Sequence, residues 1–66
     1  MKKLNNRIKI LRAEKEISQD TLAKAVEVSR QTIVAIEGKD YSPSIVVALK
    51  IAGYFNKAVD DVFSLS

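Results

Sequence analysis

Apolar residues recur along this chain at intervals of three and four, and short polar stretches break the pattern into five helical segments. Leu4, Ile8 and Leu11 share one face of a first segment, which the spacing predicts as helix over residues 4–15 with Asn5 or Asn6 capping its start. Ile17 follows as an inward-packing connector. Ser18 caps a second helix running from Gln19 to about Val26, with Asp20 in the first turn where the helix dipole favours an anion. Glu27 and Val28 form a turn. Ser29 caps a third helix, from Arg30 to about Glu37, and Gly38 is the expected left-handed residue that ends it. Residues 39–43 read as a loop, because Ser42 precedes a proline and is biased away from helix. Ser44 caps a fourth helix, about Ile45 to Phe55, and a short fifth runs from Val59 to about Phe63. The strand signal is confined to an extended tail at Ser64, Leu65 and Ser66.

The stretch from Ser18 to Glu37 is the most informative. It holds two serine-marked helix starts separated by a break that fits only a tight turn. Leu22, Val26, Val28, Ile33 and Ile36 fall where two crossed helices bury them, and Ala23 sits where they cross. The second of these helices opens with Arg30, Gln31 and Thr32, side chains suited to base edges and phosphates. The pattern is that of a helix-turn-helix, over about residues 18–37, with a DNA-reading face.

With 66 residues the chain has room for one small domain, and oligomerisation is a common remedy for so modest a core. At 47% hydrophobic, it is too apolar to be disordered. It contains neither cysteine nor histidine, which argues against disulfides, thiolate or zinc sites and most neutral-pH proton shuttles. These absences fit a reducing, cytoplasmic setting. No apolar run approaches the length of a membrane span, and the basic start lacks the apolar segment of a signal peptide. The net charge of +3 favours a polyanion only weakly. Its distribution says more: Lys2, Lys3, Arg7 and Lys9 lie at one end, Asp60 and Asp61 near the other.

The chain resembles the Cro/C1-type (XRE-type) helix-turn-helix repressors over nearly its whole length. The resemblance rests on Arg7-Ile8-Lys9-Ile10-Leu11-Arg12, Ser18-Gln19, Leu22-Ala23, Val28-Ser29-Arg30-Gln31-Thr32-Ile33, Ile36-Glu37, Tyr41-Ser42-Pro43-Ser44 and Asp60-Asp61-Val62-Phe63. It implies an all-α, five-helix, lambda-repressor-like DNA-binding domain spanning residues 1–66. It also implies operator binding as a dimer, often with repression, and it is strongest to the short stand-alone members. Three positions depart from the family pattern. Glu27 stands where glycine is usual, which strains the turn if its φ is positive. Gly38 replaces a polar residue, so Lys39 is expected to take over a phosphate contact. Ala58 replaces a capping residue, which leaves the last helix weakly started.

Arg30 and Gln31 are the candidate base-reading residues, since arginine suits guanine O6 and N7 and glutamine suits adenine N6 and N7. Val34 and Ala35, one turn on, suit thymine methyls. Gln19, Ser29, Thr32, Lys39 and Tyr41 are candidate phosphate contacts. The plainer alternatives are that Arg30 binds only phosphate, that Gln31 is solvated and that Tyr41 is a core tyrosine. For Arg12 and Glu37 the resemblance implies a structural salt bridge that locks the third helix to the first. The apolar surplus in Val46, Val47, Tyr54, Phe55, Val59, Phe63 and Leu65 exceeds what one small core needs, so Phe55, Val59, Phe63 and Leu65 are expected at a homodimer interface. The alternative is a monomer with a thoroughly buried fourth helix.

The leading reading is therefore a sequence-specific regulator of transcription. Its partner is double-stranded DNA, approached as a homodimer on a near-palindromic site, and its location is cytoplasmic and nucleoid-associated. It needs no cofactor, metal, membrane or evident small-molecule ligand. The runner-up is a protein-interaction module on the same fold, an antitoxin or antirepressor. An enzyme is the weakest reading: its one acid pair, Asp60 and Asp61, is better explained by the helix dipole.

Overall fold

The computed structural model describes residues 3–66; Lys2, counted above with the basic start, lies outside them. The five helices form in the expected order. They are α1 (Ile8–Lys15), α2 (Gln19–Ala25), α3 (Arg30–Glu37), α4 (Ile45–Tyr54) and α5 (Val59–Val62). Two short strands, β1 (Leu4–Asn6) and β2 (Phe63–Leu65), pair antiparallel with Leu4 opposite Leu65, Asn5 opposite Ser64 and Asn6 opposite Phe63.

The sheet corrects the expectation that helix begins at Leu4. Leu4 does sit on the apolar face shared with Ile8 and Leu11, but a three-residue overlap with the other end of the chain captures its backbone instead. The ladder continues past the strands, with Lys3 N–H donating to Ser66 O at 2.8 Å and Ser66 N–H to Lys3 O at 3.0 Å. Asn5 Nδ2 adds a hydrogen bond to Ser66 Oγ. Helix α1 then starts one turn later than expected, with Asn6 Oδ1 accepting from Ile8 N–H at 3.2 Å. Phe63 accordingly belongs to β2 and not to α5.

Serine caps start α2, α3 and α4. Ser18, Ser29 and Ser44 each accept a hydrogen bond from the backbone N–H three residues on, at 3.0–3.2 Å. Ala58 cannot cap α5, but Asp61 Oδ2 accepts from Ala58 N–H at 3.2 Å and anchors that end from within the helix.

The helix ends hold a second correction. Gly38 is not left-handed: it has φ −78°, and Lys39 takes the positive φ of 65°. The same closure follows α1, α2 and α4, with Glu16 at φ 56°, Glu27 at 63° and Asn56 at 57°. After each helix, the N–H of the next residue reaches back five positions. Ile17 bonds to Arg12 O, Val28 to Ala23 O, Asp40 to Ala35 O and Lys57 to Ala52 O, at 2.9–3.1 Å. This is the Schellman arrangement, built four times without glycine at the left-handed position. Glu27 is further held by Lys50 of α4, whose Nζ lies 2.9 Å from its carboxylate. The hydrogen bond and charge of Lys50 lower the Glu27 pKa. That small surface contribution is present above the usual carboxylate value and fades as pH falls through the lowered one.

All five helices and β2 contribute to one core: Ile8, Leu11, Leu22, Ala23, Val26, Ile33, Ile36, Ala48, Ile51, Ala52, Phe55, Val62 and Phe63. Two of the four expected interface residues are thereby corrected. Phe55 and Phe63 are each only 6% exposed, because the sheet turns Phe63 inward and Phe55, capping the end of α4, packs into the same core. Val59 is half-buried, and Leu65 alone of the four faces outward, at 64%. Helix α4 also carries outward apolar residues, at Ile45, Val46 and Leu49.

A left-handed L-residue is strained where glycine is not. Glu16→Gly should therefore stabilise the fold by about 1 kcal/mol, net of the greater freedom glycine gives the unfolded chain. Urea denaturation followed by circular dichroism should show the midpoint rise with an unchanged slope.

Candidate nucleic-acid interface

Helix α3 is divided lengthwise by burial. Ile33 is fully buried and Ile36 is 2% exposed, and both face α2 and the core. Arg30, Gln31 and Val34 are exposed on the opposite side, with Val34 at 44%, and Ala35 is half-exposed beside them. The four candidate base readers therefore form one outward ridge. Ser29 caps this helix through Thr32 N–H at 3.2 Å, and its Oγ lies 2.9 Å from Thr32 Oγ1. Beyond the ridge, Lys39 and Tyr41 stand exposed on the loop, Tyr41 at 53%, so Tyr41 is not a core tyrosine.

Glu37, the single acid between Arg30 and Gly38, is taken up internally. Arg12 grips its carboxylate with two hydrogen bonds, Nε to Oε2 at 2.7 Å and Nη2 to Oε1 at 3.1 Å. Arg12 Nη1 also donates to Ile17 O at 3.1 Å. Gln19 Nε2 donates to Glu37 Oε1 at 3.2 Å. The side chains of Arg12 and Glu37 keep 15% and 9% of their exposure. The hydrogen bond to Glu37 raises the Arg12 pKa, burial opposes the shift and the charge of Glu37 adds to it. Because this pKa is raised, the contribution is present throughout the range below the ordinary arginine value, and the pair does not weaken at neutral pH through loss of the arginine proton.

The bridge brings α1, α2 and α3 together at one carboxylate. Gln19 was read from sequence as a free phosphate contact. Here it is half-buried with its amide turned to Glu37, leaving one amide N–H and the helix N-terminus outward. Sequence reasoning missed this second role because a glutamine at a first helical turn carries no pattern that names its partner. The Lys50–Glu27 pair was missed for the same reason: its members are 23 residues apart with no periodicity linking them. Among the described residues, no group of three or more acids, cysteines or histidines is placed to hold a metal, and no helix is long and apolar enough to cross a membrane.

Comparison with known proteins places this geometry in a wider set. A family model described as helix-turn-helix matches residues 8–62. The chain is 47% identical over 62 residues to an uncharacterized HTH-type transcriptional regulator of Bacillus subtilis, covering 94% of each chain. It is 45% identical over 60 residues to another from Methanocaldococcus jannaschii, covering 91% of each. A crystal structure of a proposed DNA-binding protein from Bacteroides fragilis superimposes with a TM-score of 0.80 at 28% identity, covering 92% of this chain and 98% of that one.

Exposed ion pairs contribute about 0–1 kcal/mol, and breaking a buried one costs about 3–5. The Arg12–Glu37 pair lies between these limits, so Arg12→Ala should destabilise the fold by about 2 kcal/mol. Gln19→Ala removes one hydrogen bond of the same cluster and should cost about 1 kcal/mol or less. Paired urea titrations measure both.

Proposed function

The chain belongs to the Cro/C1-type helix-turn-helix family, and from that membership we propose that it is a DNA-binding regulator of transcription, not an enzyme, whose α3 enters the major groove. The observation that carries this reading is the ridge of Arg30, Gln31, Val34 and Ala35, turned outward and held from behind by Ile33, Ile36 and the bound Glu37. Arg30 and Gln31 supply donors for base edges, and Val34 and Ala35 offer apolar contact to thymine methyls. Ser29, Thr32, Lys39, Tyr41 and the outward N-terminus of α2 at Gln19 border the ridge where phosphate strands would run. Repression by blocking a promoter follows the family pattern.

Pairing of two copies is part of the proposal. The described chain measures 32 Å along its longest axis and carries one reading helix. A second contact about 34 Å away, one DNA turn, calls for a second copy and a near-palindromic site. Leu65 and the half-buried Val59 remain candidates for that interface. Phe55 and Phe63 support it from the core.

A second reading is favoured by one observation. Ile45, Val46 and Leu49 form an exposed apolar face on α4, 55–68% open, which would suit a protein partner of an antitoxin or antirepressor. Loss of DNA binding with retention of a co-purifying protein would select that reading.

Selection of bound sites from a random duplex pool is the direct test of DNA reading. On the selected site, Arg30→Ala should cost about 1–3 kcal/mol and relax sequence preference. Lys39→Ala should weaken selected and random duplexes alike and reduce the salt slope by about one. Leu65→Glu should move the sedimentation mass from dimer to monomer; an unchanged dimer mass removes Leu65 from the interface.

A further inference from the structure

We propose that Asn6 is a positioning residue for α3, a strut that ties the terminal sheet to the reading helix and sets the helix's tilt. The proposal rests on the DNA-reading role given to α3 above. The Asn6 backbone lies in β1 opposite Phe63, which is itself in the core. Its half-buried side chain joins two further elements. Oδ1 accepts from Ile8 N–H at the start of α1, at 3.2 Å, and Nδ2 donates to Ile36 O near the end of α3, at 2.9 Å. The Ile36 carbonyl also accepts from Lys39 N–H at 3.0 Å, so both of its lone pairs are used.

The Asn6 strut differs in kind from the Arg12–Glu37 bridge. The bridge joins two side chains, and rotamer changes in Glu37 can absorb displacement of the helix. Asn6 holds a backbone carbonyl, so its bond fixes the helix axis itself. Serine, threonine or aspartate would serve as well for the cap on Ile8. A donor to α3 and an acceptor for α1 on one short, unprotonated side chain is what an asparagine amide provides. The neighbouring Asn5 makes the comparison sharp, because its amide bonds to Ser66 within the sheet and none of its hydrogen bonds reaches α3.

Three variants separate positioning from plain stability. Asn6→Asp keeps the acceptor for Ile8 and loses the donor to Ile36; Asn6→Thr keeps an acceptor without a new charge and loses the Nδ2 amide donor, its one hydroxyl sitting on the atom that would accept from Ile8. Asn5→Ala loosens the sheet alone. In the free protein, amide exchange at Gly38, Lys39 and Asp40 should quicken about fivefold in both Asn6 variants and stay at the wild-type rate in Asn5→Ala. The preference for a selected duplex over a scrambled one should fall about fivefold in Asn6→Thr, with scrambled-duplex affinity unchanged. Equal exchange rates at these amides in the Asn5 and Asn6 variants would overturn the strut. A wild-type protein that prefers no duplex would instead overturn the DNA reading, and the exchange result would still judge the strut.

Discussion

The position of α3 depends on how the carboxylate of Glu37 is satisfied. Bare, it would set a negative charge at the end of a surface otherwise suited to polyanions, and α3 would lose its side-chain ties to α1 and α2. Arg12 and Gln19 bind it from two directions, which neutralises the charge and ties α3 to α1 and α2 in one step. Apolar attraction is non-directional, so Ile33 and Ile36 hold α3 against the core without by themselves specifying its bearing. Directional hydrogen bonds narrow the choice: those to the Glu37 carboxylate limit how far α3 moves, and the Asn6 bond to the Ile36 carbonyl sets its axis. The division of labour is therefore clear: Ile33 and Ile36 supply adhesion, and the polar cluster supplies placement.

The helical part of the fold was legible because its signals are local. Ser18, Ser29 and Ser44 each mark a start within one turn of the residues they cap, and the three- and four-residue spacing of apolar positions marks the faces. Glu27 takes the positive φ that glycine usually supplies in this turn, so the conditional strain applies. The signals failed where the deciding partner is remote. Leu4 fits a helical stripe, yet its backbone pairs with Leu65. Gly38 looked like the left-handed residue because glycine has that freedom, but it keeps a right-handed conformation as the C-cap of α3 and Lys39 makes the reversal.

The site shows the same split. The ridge from Arg30 to Ala35 was readable because helix periodicity separates it from Ile33 and Ile36. The Arg12–Glu37 pairing came from family resemblance, since no spacing rule joins residues 25 apart. The ties made by Gln19 and Asn6 were not readable, as neither amide announces its partner. The apolar surplus was legible as a count but not residue by residue. A count of hydrophobic residues cannot tell that the sheet draws Phe63 into the core, while Ile45, Val46 and Leu49 are left on the outer face of α4.

The sheet joining the chain's two ends also orders the assembly of the molecule. The segments from α1 to α3 are near neighbours in sequence and close short loops, whereas Leu4 must wait for Leu65. During synthesis β1 is made before β2, and their pairing closes a loop spanning α1 to α5, which is entropically slower than the short closures within the helix-turn-helix. The local contacts of α2 and α3 can thus form ahead of the sheet, and β2 acts as the latch that joins β1 to the core.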